Sequence, residues 1–143
     1  MSAPDRRAPP PTGMAAPRSV PGPGGRDLDL VDLAGRVCER YYGEFADEDE
    51  RYGETGRAWC LHDNQHLLNW GAMAADGLVD LDHEVAWLAR VLGKRDFPLD
   101  RLARDLEIGG EVVREQVPGS EVMAAALDQA CAMVRTRSFP AEG

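Results

Sequence analysis

The chain has 143 residues, enough for one domain, and its 43% hydrophobic and 29% charged residues are typical of a globular protein. The formal net charge of −9 is uneven, because the first 26 residues carry four arginines and one aspartate and the remainder therefore carries −12. An acidic body repels the phosphates of nucleic acids and of anionic membranes, so we expect neither as a direct partner.

The cysteines and the hydropathy indicate the compartment. Cys38, Cys60 and Cys131 do not make a set of disulfide pairs. No apolar run resembles a signal peptide, and none reaches the ~18 residues of a membrane-spanning helix. We therefore expect a cytoplasmic protein with reduced thiols. Cys60 is interpreted as an inert buried cysteine rather than a redox sensor, because only Arg57 supplies positive charge in the turn before it.

The first part of the chain differs in composition from the rest. Residues 1–26 contain seven of the ten prolines and few large apolar residues. Such a segment cannot bury enough apolar surface to fold, which is typical of a disordered tail. The predicted organisation is a disordered tail over residues 1–26 and one helical domain over residues 27–143.

Apolar residues then recur every three or four positions, which predicts helices. Helix A is expected over about residues 27–45 and helix B over about 56–75, with the acidic run between them as an exposed connection. Helix C follows Asp80 as its N-cap, helix D has Pro98 in its first turn, and helix E is capped by Ser120. No segment alternates long enough to predict a strand. The predicted fold class is all-α, a bundle of about five helices.

The run WCLHDNQHLLNW, residues 59–70, makes helix B unusual. At roughly 100° per residue, one quadrant holds both tryptophans and both histidines, and leucines cover the opposite side. A surface helix keeps its polar residues together, whereas this helix is apolar almost all round. We therefore predict that helix B is central in the bundle and carries a ligand pocket. The predicted pocket residues are Trp59, His62, Asp63, His66, Trp70 and Met73.

Several chemistries remain open for this pocket. We favour His66 as a buried, hydrogen-bonded residue, because an unsatisfied buried polar group costs about 1–3 kcal/mol. A metal site would use His62 and His66, since histidines four apart chelate from one helix face, but it needs a further ligand. A haem site would use one of the two as axial ligand. An enzyme would use Asp63 and His66 as an acid–base pair.

None of these chemistries has a complete set of residues in the sequence. No Ser-His-Asp set, phosphate-binding loop or spaced cysteine pairs can be assembled. We therefore predict a protein that is not an enzyme, with no catalytic residue and no resident metal or cofactor. Trp87, one turn after His83 in helix C, is expected in the core.

Two runs, RYGETGRAWCLHDNQHLLNW and VAWLARVLGKRDFPLDRLARDLEI, resemble the helical N-terminal domain that precedes cobalamin-binding modules in bacterial sensory and regulatory proteins. The resemblance covers roughly residues 50–116 and extends more distantly to non-haem, globin-like sensor domains. The residues that carry it are Tyr52, Gly53, Gly56, Arg57, Cys60, Asp63, His66 and Leu67, followed by Trp87, Leu88, Leu92, Pro98 and Leu102.

The resemblance implies a non-catalytic sensory or adaptor domain that acts through a regulatory protein partner. Cobalamin domains carry an Asp-x-His-x-x-Gly loop for the lower ligand of the cofactor, and this sequence has none. The chain also ends soon after helix E. We therefore expect a stand-alone version that does not bind cobalamin by itself. The sequence leaves a homo-oligomer open and specifies neither ligand nor partner.

Overall fold

The computed structural model describes residues 15–137 and 139. A short antiparallel hairpin is followed by a bundle of five α-helices, which confirms the predicted fold class. No helix in the described part of the chain is long and apolar enough to cross a membrane. The elements are β1 Ser19–Pro21, β2 Asp27–Asp29, α1 Leu30–Glu44, α2 Asp47–Ala75, α3 Leu81–Lys94, α4 Leu99–Gln116 and α5 Glu121–Thr136.

Helix α2 passes through the middle of the bundle, as predicted for helix B. Five consecutive residues from Asn64 to Leu68 are buried, so every side of the helix is covered there. Helices α1, α3, α4 and α5 all pack against it. Consecutive burial in a helix requires partners on all sides, because successive side chains point about 100° apart. Polar residues of α2 therefore lie inside the protein.

The N-terminal segment is structured from residue 15, which corrects the predicted tail. Val20 pairs with Leu28 across the hairpin, and each is 7% exposed. The side-chain amide of Gln65 donates to the Pro17 carbonyl at 2.9 Å and ties the segment to α2. The predictions of disorder over the hairpin and of no strand are wrong, because three-residue strands are too short to show alternation. Residues 1–14 of the predicted tail lie outside the described residues.

The acidic run predicted as an exposed connection is helical instead. Helix α2 begins at Asp47, and its four acidic residues at 47–50 suit the positive end of the helix dipole. Two helical segments join at Gly53, where φ is 60° and ψ is −153°. Glu48 is 1% exposed and Tyr52 is 8% exposed, so this turn is part of the core. The prediction of an exposed connection failed because residues that contact Glu48 and Tyr52 lie far away in the sequence.

Two smaller predictions are also corrected. Trp87 is 38% exposed, not in the core. Ser120 precedes α5, but its hydroxyl donates to the Val113 carbonyl at 2.9 Å and does not cap the helix. The predicted cap of α3 is confirmed, since the Asp80 carboxylate accepts from the His83 amide at 3.3 Å.

The break in α2 generates the first prediction. Replacing Gly53 by alanine should destabilise the fold by roughly 1–3 kcal/mol, because a Cβ is strained at a positive φ with extended ψ. Gly35→Ala in α1 is the matched control, since the added Cβ meets no atom within 4 Å beyond its chain neighbours and the backbone of its own helix. It should stabilise the fold by up to ~1 kcal/mol. Chemical unfolding measures both, and equal effects would contradict the assignment of strain to Gly53.

Candidate functional site

A groove of about 460 Å³ opens between α2, α3 and the N-terminal segment. Its volume lies within the ~300–1,000 Å³ typical of small-molecule sites. Two indole rings, two imidazoles, an amide and one carboxylate face it, together with two small apolar residues of the N-terminal segment. The lining residues are Ala15, Pro17, His66, Asn69, Trp70, His83, Glu84 and Trp87.

Each of the two helices contributes one histidine and one tryptophan to the groove, four residues apart. On α2, the rings of His66 and Trp70 lie 5.6 Å apart between centroids. His83 and Trp87 occupy the equivalent spacing on α3, so both pairs lie on one helix face. His66 is 6% exposed and lies deep, whereas Trp87 lies at the rim. His62 packs against His66 with centroids 4.7 Å apart, and burial lowers the pKa of His62.

A second cavity, of about 40 Å³, lies between α2, α1, α3 and α4. Since one water needs ~10–15 Å³ of such space, it has room for a few water-sized groups and not for a drug-sized ligand. Eight of its fourteen lining residues carry a polar or ionisable side chain. The polar lining residues are Tyr41, Tyr42, Glu48, Cys60, Asp63, Asn64, Arg101 and Asp105.

The buried charge of Glu48 has two partners in this cavity. The Tyr41 hydroxyl donates to its carboxylate, and Arg101 Nη1 donates at 3.2 Å. Arg101 also donates to Asp47 at 3.0 Å and lies 4.5 Å from the centre of the Phe45 ring. Burial, followed by the neighbouring carboxylate, raises the pKa of Tyr41, which therefore stays a hydrogen-bond donor. The Glu48 carboxylate is thus paired with a hydroxyl group and a guanidinium inside the protein.

Asp105 is the second buried carboxyl group. It is 7% exposed and accepts a hydrogen bond from the Asn64 side-chain amide at 3.0 Å. Burial raises the pKa of Asp105 to about 7, against the opposing effect of the Asn64 hydrogen bond and with help from the charges of Asp63 and Glu48. Asp105 therefore changes its protonation state near neutral pH.

Two cysteines meet beside the same amide. Asn64 Nδ2 lies 3.5 Å from the Cys60 sulfur on α2 and 3.7 Å from the Cys38 sulfur on α1. The neighbouring Cys38 thiol and burial raise the pKa of Cys60 well above its ordinary range, so its thiol is protonated.

The residues predicted to form one pocket lie at several different sites in the structure. His66 and Trp70 line the groove, whereas Asp63 lines the interior cavity. Trp59 is 3% exposed and lies under the Arg95 guanidinium, 4.6 Å from its ring centre. Met73 is partly buried, and its sulfur accepts from the Asn69 amide at 3.5 Å. Asp63 and His66, considered above as the acid–base pair of an enzyme, therefore line two different cavities.

Sequence reasoning missed the contribution of α3 to the groove. The signal was present as a repeated spacing, since His-x-x-x-Trp occurs at His66–Trp70 and again at His83–Trp87. Within residues 15–137 and 139, no group of three or more His, Cys, Asp or Glu side chains is arranged to hold a metal ion.

The residues that carry the family resemblance are spread over both cavities. Gly56, Cys60, Asp63 and Leu67 line the interior cavity, as do Leu88, Leu92 and Leu102, and His66 and Trp87 line the groove. Tyr52, Gly53 and Arg57 lie around the break in α2. Comparison with family models, with curated proteins and with solved structures found no match. The resemblance therefore stays a prediction.

Asp105 generates a prediction on pH dependence. Because its pKa is raised on folding, its contribution to stability is complete below about pH 3.8 and is lost as the pH rises through about 7. Asp105→Asn removes this charge, so the variant should gain roughly 2–3 kcal/mol over the wild type between pH 5 and pH 8. Asp100→Asn, exposed on the same helix, is the control. Unfolding curves are measured at pH 5 and at pH 8 for each protein. If the change in unfolding free energy between the two pH values is the same for the wild type and for Asp105→Asn, the raised pKa is contradicted.

The ion pair of Glu48 and Arg101 generates a prediction on stability. Arg101→Ala should cost roughly 3–5 kcal/mol, because it leaves a buried carboxylate without its cation. Arg36→Ala breaks a 3.0 Å pair with Asp32 whose side chains are about half exposed, and it should cost less than ~1 kcal/mol. Urea unfolding of both variants gives the comparison. Similar losses for the two would show that Glu48 does not depend on Arg101.

Proposed function

We propose that this chain is a non-catalytic sensory or adaptor protein that acts through a regulatory protein partner, and that the groove is its ligand site. The observation that carries the proposal is the convergence of two His–Trp pairs from two helices on one groove of ligand size. Trp87 is 38% exposed there, although an indole is a large apolar surface. A partly exposed indole in a concave site is ready to contact a ligand with little rearrangement.

The lining of the groove favours a positively charged ligand. The faces of Trp70 and Trp87 attract cations through the negative charge density of their rings. Glu84 adds a carboxylate to the same wall. The net charge of −9 attracts cations to the protein and repels anions. We expect a small organic cation with a flat or apolar body.

A ligand in this groove would contact three separately connected parts of the chain. His66 and Trp70 come from the central helix, His83 and Trp87 from α3, and Pro17 from the N-terminal segment. A ligand shifts a conformational equilibrium only through its different affinity for the two states. One that contacts all three elements stabilises the arrangement in which they pack together. This is the physical basis for a signal that a partner protein would read.

Three probes that share an aromatic ring and differ in charge test the groove: benzyltrimethylammonium, benzyl alcohol and benzoate. Tryptophan fluorescence and calorimetry should show the cation binding most tightly. Trp87→Ala and Glu84→Gln should each weaken cation binding severalfold, since a cation–π contact is worth about 0.5–2 kcal/mol. Val122→Ala, at a site 65% exposed on α5, is the matched control and should bind as the wild type does.

Two outcomes of these binding measurements would contradict the proposed ligand site. Equal affinity for all three probes would remove the charge preference. Cation binding that is unchanged in Trp87→Ala would move the site away from the groove. Hydrogen exchange gives an independent measurement, because a bound cation should slow the exchange of amides in α2 and α3 while leaving α5 unchanged.

A further inference from the structure

Two of the three cysteines of the chain meet between α1 and α2. The amide nitrogen of Asn64 lies 3.5 Å from the Cys60 sulfur and 3.7 Å from the Cys38 sulfur. Both cysteine residues are partly exposed. Helices α1 and α2 pack directly against each other. The two thiols are thus neighbours that lie on two different helices.

We infer that Cys38 and Cys60 are a reversible redox pair, which a small peroxide converts into a disulfide joining α1 to α2. A disulfide needs the two Cβ atoms about 3.5–4.5 Å apart and a defined torsion around the sulfur–sulfur bond. Two thiols on packed helices that both lie beside one amide nitrogen can reach this geometry by rotation of their side chains. The pair is separate from the groove, and the inference does not depend on the ligand proposed there.

The reaction has two steps and balances with one peroxide. The Cys38 sulfur, as thiolate, attacks one oxygen of hydrogen peroxide, so that an S–O bond forms, the O–O bond breaks, and the leaving hydroxide takes up the thiol proton as water. The Cys60 sulfur then attacks the Cys38 sulfenic acid, so that the S–S bond forms and a second water leaves. The two thiols lose two electrons, and the peroxide gains them.

The surroundings assign the order in which the two sulfurs react. The neighbouring Cys38 thiol and burial raise the pKa of the Cys60 thiol, which makes Cys60 the second sulfur to react.

Cys131 provides a control within the same molecule. It lies on α5 in the core, and burial raises the pKa of its thiol. The charged groups near it are Arg135, Glu107, Asp128 and Arg104, which are different from the groups around Cys60. An oxidant that reacts with any buried cysteine would also oxidise Cys131. A reaction confined to Cys38 and Cys60 would leave the Cys131 thiol reduced.

Peptide mapping tests the pair, since trypsin places each cysteine on its own peptide: Val37–Arg40, Ala58–Arg90 and Glu115–Arg135. The reduced full-length chain is treated with hydrogen peroxide and digested without reductant. We expect a loss of mass equal to two hydrogen atoms and a cross-link between the first two peptides. Dithiothreitol should reverse both. The melting temperature should rise by several degrees, because the bond closes the loop that contains the break in α2.

Two variants complete the experiment. Cys131→Ser should keep the cross-link and the rise in melting temperature, and Cys38→Ser should lose both. Wild-type protein whose thiols survive peroxide that oxidises its methionines would overturn the inference. So would a disulfide through Cys131 or between two chains, and this mapping requires no variant that must first fold.

Discussion

The buried charge of Glu48 constrains the rest of the structure. A carboxylate inside a protein costs several kcal/mol unless a cation and hydrogen-bond donors compensate it. Tyr41 from α1 and Arg101 from α4 supply these partners, so three helices must meet at one point. The first turns of α2 must also bend inward, which the unusual backbone of Gly53 permits. The direction in which the long part of α2 enters the bundle follows from this requirement.

With α2 held at the centre, its polar residues face two different environments. His66 and Trp70 face an open groove together with the equivalent pair from α3. Asn64 faces the interior cavity, where its amide donates to the carboxylate of Asp105. The same amide nitrogen lies beside the sulfurs of two cysteines. The groove has the size and aromatic lining of a ligand site. The interior cavity instead holds Asp105, a carboxyl group whose pKa burial raises to about 7.

Much of the fold was predictable from local patterns. Five helices and the cap at Asp80 follow from residues that lie within a few positions of one another. The central place of α2 follows from its apolar character on all sides. Local patterns failed where a distant partner decided the outcome. The acidic turn around Glu48 is typical of an exposed loop, and nothing near it in the sequence indicates Arg101.

The candidate site was likewise predictable only in part. The sequence by itself determined that His66 and Trp70 lie on one face of a buried helix, because helical periodicity fixes their relative directions. Only the tertiary structure decided that the His83–Trp87 pair faces them, since this depends on how α3 packs on α2. The proximity of Cys38 and Cys60 likewise depends on the packing of α1 against α2. Periodicity gives directions within one helix, whereas the register between helices is determined by the packing of the whole core.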